Sequence, residues 1–150
     1  MPSFEKEFRE SKGQPFEYNG NAIIGIDRLN VEKEISGYIE LISTNSDWLQ
    51  GVILDVNGEL EINTIKGQKF ILWQNHMKKP TFFHGTSKDK QLLVWNAWDT
   101  GNGVTNYWHN GAAMIKETDG DAIIYRCNDG HPDDNFDDIV FKIVIDTDSE

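Results

Sequence analysis

The segment 127–138 reads Cys-Asn-Asp-Gly-His-Pro-Asp-Asp-Asn-Phe-Asp-Asp, with five aspartates and Phe136 as its one large apolar residue. Such a composition cannot pack as a core element, so it has to be a solvated loop, a metal cradle or a partner surface. Hard cations such as calcium take six to eight oxygen ligands from carboxylates, amides and backbone carbonyls. Asp129, Asp133, Asp134, Asp137 and Asp138 could supply several of these, with Asp99 and Asn102 on a second loop. The spacing is not that of an EF-hand, because no Asp-x-Asp-x-Asp-Gly run leads to a glutamate at the twelfth place. The competing reading is a solvated loop whose carboxylates cap backbone amides.

Other chemistries fit less well. His76, His109 and His131 would suit zinc with an aspartate, but no pair has helical or hairpin ligand spacing. A reactive thiolate needs an electropositive setting, whereas Cys127 is followed by aspartates that raise its pKa. Cys127 is therefore expected to be a buried structural residue. Paired carboxylates for glycoside hydrolysis exist only in the sense that any acidic loop holds them, and nothing separates an acid from a base. The sequence favours a non-catalytic protein.

A second polar loop, 99–110, contains Asn106, Tyr107, Trp108 and His109. Aromatic faces beside a few convergent polar groups describe a small-ligand site. Trp98, Asn106, Tyr107, Trp108, His109 and His131 are the candidates for holding a polar ligand such as a carbohydrate. Trp108, set between Tyr107 and His109, is the best single one. Trp73, Trp95 and Trp98 also have a plainer role as core residues.

The elements that must position these loops are strands. From Ala22 onward the hydrophobic period is two. Segment 35–43 alternates Ile35, Gly37, Ile39 and Leu41 against Ser36, Tyr38, Glu40 and Ile42. Further strands are expected at 22–28, 51–56, 59–65, 69–73, 112–117, 121–127 and 139–145. Turns are expected at Asn45-Ser46-Asp47, Asn57-Gly58, Lys66-Gly67, 85–90 and Asp119-Gly120. Segment 80–84 reads as a short edge strand because of Pro80, and 92–98, apolar on both faces, as a central one. Successive reversals would then gather Asn57-Gly58, 74–79, 99–110 and 128–138 at one end of the molecule.

With turns every eight to twelve residues and no long amphipathic helix, the expected fold is all-β, an antiparallel β-sandwich of jelly-roll type. Residues 22–150 form its single domain. Residues 1–21 are either a short helix carrying Phe4 and Phe8 or an extended arm.

Bulk properties narrow the partners. A chain of 150 residues is long enough to bury a core, and an aromatic share of 11% belongs to a folded protein. The net charge of −11 lacks the basic footprint that nucleic acid and anionic membrane require. It suits cations, or a basic protein partner, and so admits an alternative function as a small acidic inhibitor or immunity-type protein. The single cysteine excludes an internal disulfide framework. No apolar leader or membrane-spanning run is visible, which makes the cytoplasm the expected location, with leaderless export as the other route.

Overall fold

A computed structural model describes residues 16–18, 21–45, 48–77, 79–99, 113–128 and 136–146. These residues are almost entirely β. The strands are β1 (Phe16–Tyr18), β2 (Asn21–Ile24), β3 (Asp27–Asn30), β4 (Glu34–Thr44), β5 (Leu49–Ile62), β6 (Ile65–Trp73), β7 (Thr81–Asp99), β8 (Ala113–Asp119), β9 (Ala122–Asn128) and β10 (Ile139–Ile145), with a single 3-10 turn, η1 (Gln74–His76). Among the described residues strand pairing begins at Phe16, ahead of Ala22, so the β1–β2 hairpin draws on residues placed in the N-terminal arm by sequence. Residues 1–15, including Phe4 and Phe8, lie outside the described residues.

Every pairing is antiparallel, as the alternating pattern predicts. The strands follow one hydrogen-bonded path, β1-β2-β8-β9-β10-β4-β7-β5-β6, with β3 added beside β7. This path folds over itself. Both β4 and β5 run antiparallel to β7 and hence parallel to each other, although the chain passes directly from Thr44 to Leu49. Residue 97 of β7 faces Gly51, which pairs with Trp73; residue 81 lies beside Ile39. Were β7 straight, Thr81 and Ala97 would stand about 53 Å apart. The chain from Trp73 to Thr81 plus two strand spacings allows at most about 38 Å. β7 must therefore bend back, and its neighbours bend with it.

The bend lies where the sequence suggested turns. Asn57-Gly58 does not make a hairpin: it sits inside β5, where the register with β7 slips between Val56 and Gly58. Segment 85–90 does not reverse the chain either, because it belongs to the 19-residue β7, whose first residues, Thr81 to Phe83, pair with β4 alone among the described residues. Lys66-Gly67 lies within β6. Gly58 faces Ser87, while Leu60 lies between Gly85 and Gly67. These glycines line one corner across three adjacent strands. A Cβ on Gly85 would stand 1.9 Å from the Glu59 carbonyl oxygen, and one on Gly58 2.2 Å from that of Thr86. Close backbone approach, rather than reversal, is what requires glycine at positions 58 and 85.

The true reversal between β5 and β6 uses Asn63 and Thr64, at φ 50° and 68°. Charge and apolar matching explain the choice. A two-residue loop at Asn57-Gly58 would set Leu54 opposite Glu61, whereas the observed register pairs Leu54 with Phe70 and Glu61 with Lys66. The Asp119-Gly120 hairpin forms as expected between β8 and β9, with Gly120 at φ 62°. The expected 22–28 strand divides at Gly25-Ile26 into β2 and β3, which join different neighbours.

Folding the path over itself encloses one core. Ile35, Ile39, Tyr125, Phe141 and Ile143 contribute from β4, β9 and β10, and Leu29, Val52, Leu54, Leu92 and Val94 from β3, β5 and β7. Ile53, Trp95 and Ala97 are buried on the opposite face of β5 and β7, in keeping with a central β7. Among the described residues, no helix is long and apolar enough to cross a membrane.

Candidate functional site

The roots of the two polar loops lie side by side. β7 ends at Asp99, β8 begins at Ala113, β9 ends at Asn128 and β10 begins at Ile139. Asn128 ties these ends together. Its backbone pairs with Ala113, and its carbonyl oxygen accepts a 2.8 Å hydrogen bond from Nδ2 of Asn96 on β7. Its own Oδ1 accepts from the backbone N–H of Phe136 at 2.6 Å. Phe136 sits at φ 55°, a backbone conformation that this side-chain bond helps to hold.

Further bonds close the base of the acidic segment. Asp138 donates its N–H to the Cys127 carbonyl at 3.0 Å, and its carbonyl accepts from the N–H of Asn45 at 3.1 Å. Asn45 also donates from Nδ2 to Asp137 Oδ2 at 2.9 Å. The segment is thereby anchored on β9 and on the residue that follows β4.

Beneath these roots the interior turns polar. Gln50, Asn96, Asn128 and Asp138 are all buried. Gln50 and Asn96 share a face, since Gln50 pairs with Trp98 and Val52 with Asn96. The Gln50 N–H donates to Gln74 Oε1 at 2.8 Å and its Nε2 donates to the Trp48 carbonyl at 3.2 Å. Burying an amide is tolerable only when its hydrogen bonds are made. This end therefore combines strands with buried amides rather than an all-apolar plug, Gln50 and Asn96 donating through Nε2 and Nδ2.

Only part of the sequence-derived set falls within the described residues. Trp98 is 2% exposed, its ring stacked on Trp48 at 6.5 Å between centroids, so it packs in the interior. Asp99 is half-buried and pairs with Leu49 at the end of β7. Asp137 is half-buried and bonded to Asn45. The ligand candidates Asn106, Tyr107, Trp108, His109 and His131, and the metal candidates Asn102, Asp129, Asp133 and Asp134, lie outside the described residues. Among the described residues no group of three histidine, cysteine or acidic side chains could hold a metal ion.

His76 serves a local role, its Nδ1 accepting from the Trp73 N–H at 3.3 Å. Cys127 is fully buried, and burial, reinforced by the charge of Asp138, pushes its thiol pKa well above the usual value. A protonated, enclosed thiol is no nucleophile.

Composition and spacing place Asn128 at the long-loop end without a role, and do not point to Asn96 or Gln50. One signal was available: Asn96 is the only polar residue within an otherwise apolar run, Leu92 to Trp98. An amide buried on a central strand must find a partner. No protein-family model matches the chain, and neither a curated protein nor a solved structure gives a significant match.

Proposed function

We propose that this protein is a non-catalytic binding module that uses the end carrying loops 99–110 and 128–138 to hold a polar ligand such as a carbohydrate. The observation that carries the reading is the convergence of both loop roots on Asn128, through Asn96, Ala113 and Phe136. Loops rooted on adjacent strands of a rigid scaffold can share one ligand. The buried thiol of Cys127 speaks against nucleophilic catalysis at the same place. In this reading Trp108 and Tyr107 offer stacking faces, the neighbouring asparagines and aspartates take hydroxyls, and calcium neutralises the aspartates of 128–138.

Titration calorimetry against a panel of neutral oligosaccharides tests the ligand class. Binding by the wild type that Trp108→Ala weakens at least tenfold is the expected result. A panel without any binder would sink the carbohydrate reading. The calcium component is separate: a ligand that binds only the folded state raises the melting midpoint. An unchanged melt between millimolar calcium and chelator would remove calcium from the mechanism.

The net charge of −11 favours one second reading, a small acidic inhibitor that occludes a basic protein. Its mark would be capture of a basic protein with affinity falling steeply as salt is added.

A further inference from the structure

We propose that Asn128 is a joint that couples the roots of the two loops, so that loosening one loosens the other. Its two bonding groups face different ways along the chain. The backbone carbonyl holds Asn96 of β7, the strand that leads into residues 100–112, and the side-chain oxygen holds Phe136, which closes residues 129–135. Its backbone also pairs with Ala113, where the chain returns from residues 100–112 into β8. Asn128 and Asn96 are 0% and 3% exposed, so water cannot replace either bond without opening the site.

The route from Asn96 to Phe136 runs through Asn128: Asn96 Nδ2 and the ladder partner Ala113 hold the Asn128 backbone, from which Oδ1 reaches the Phe136 N–H. Removing the Asn96 amide should therefore be felt at Phe136, with which it has no hydrogen bond. Phe136, Asp137 and Asp138 are each held, Phe136 by Asn128, Asp137 by Asn45 Nδ2 and Asp138 by Cys127 and Asn45. The consequence for ligand binding rests on the proposed function, but the joint itself does not.

Amide hydrogen exchange on the full-length protein without ligand tests it. In Asn96→Ala, exchange at Phe136, Asp137 and Asp138 should rise about tenfold, while Gly37, Tyr38 and Ile39, paired on both sides within β4, keep wild-type rates. Asn128→Ala should raise exchange at Phe136 to Asp138 by at least as much, and the double variant should add less than the product of the single effects. Asn128→Ser, which keeps an acceptor oxygen, should recover part of the protection and serves in place of Asn128→Ala if that chain does not fold. Wild-type exchange at Phe136 to Asp138 in Asn96→Ala would overturn the proposal. A uniform rise that includes Gly37 to Ile39 would overturn it too, because that is general destabilisation. Neither outcome bears on whether a carbohydrate binds.

Discussion

Tyr125 shows how one side chain can lock distant parts of the fold together. Its ring stacks on Phe141 at 5.0 Å, and its hydroxyl donates to Asp27 Oδ2 at 2.5 Å. Lys116 Nζ stands 3.0 Å from the same oxygen. Burial, then the charge of Asp27 and the hydrogen bond to it, raise the phenol far above its ordinary pKa of 10.0. Cys127 is likewise held above its ordinary 9.0 by burial and by Asp138. Both groups stay protonated in the folded protein. Below pH 9 they are protonated in the unfolded chain as well, so their contribution to stability is complete. As pH rises through 9 and then 10, the unfolded chain loses protons that the folded one keeps, and stability falls by up to about 1.4 kcal/mol per pH unit for each group. Denaturant midpoints should hold steady from these two groups up to pH 9 and decline beyond it. Tyr125→Phe should cost about 1–3 kcal/mol at neutral pH, through Asp27 losing a donor, and should flatten the decline above pH 10. An unaltered alkaline slope in that variant would show that the phenol ionises while folded. The inert thiol was readable from the aspartates that follow Cys127. Asp27 was not, because its partner lies 98 residues further along the chain.

At the scale of the element, composition located the irregular points of the chain but not their geometry. Glycine marks a tight turn and a close backbone approach equally well. Asn57-Gly58, Lys66-Gly67 and 85–90 thus read as reversals in sequence, whereas they line a corner in β5, β6 and β7. What separates the two readings is long-range pairing, such as Glu61 with His84, which no local pattern contains. In β10 alternation points Ile139, Phe141, Ile143 and Ile145 inward; the first three are buried and Ile145 packs half-buried on the core, while Val140 on the other face is buried as well. The corner makes a graded prediction. Gly85→Ala and Gly58→Ala push a methyl into backbone at 1.9 and 2.2 Å and should each destabilise by more than about 2 kcal/mol. Gly67→Ala meets its nearest atom, on the Phe70 ring, at 3.6 Å and should change stability by less than about 0.5 kcal/mol. In the true turn Thr64 is β-branched at φ 68°, so Thr64→Gly should stabilise by about 1 kcal/mol. Chemical denaturation of the set measures all of these. Equal costs at Gly85 and Gly67 would mean that the strands do not meet there.

For the whole molecule, charge sets the balance between solubility and cohesion. The chain carries −11, and folding brings that charge onto one compact surface. Against this repulsion stand ion pairs such as Lys142 with Glu40 at 3.4 Å and Arg126 with Glu117 at 3.0 Å. Exposed pairs of this kind contribute about 0–1 kcal/mol each. The Lys116–Asp27 pair is more enclosed, with Asp27 at 12% side-chain exposure, and loses less to added salt. Screening therefore removes more repulsion than attraction. Raising monovalent salt from about 10 mM to about 0.15 M shortens the screening length from about 30 Å to about 8 Å. The thermal midpoint at neutral pH should rise over that interval by a few degrees and level off beyond it. Sodium chloride and potassium chloride should act alike, since a field effect does not distinguish the cations. A midpoint that falls with salt would mean that the ion pairs outweigh the net charge. A rise produced by calcium at concentrations where sodium has no effect would instead mark a specific site, and would link the stability of the fold to the aspartates of 128–138.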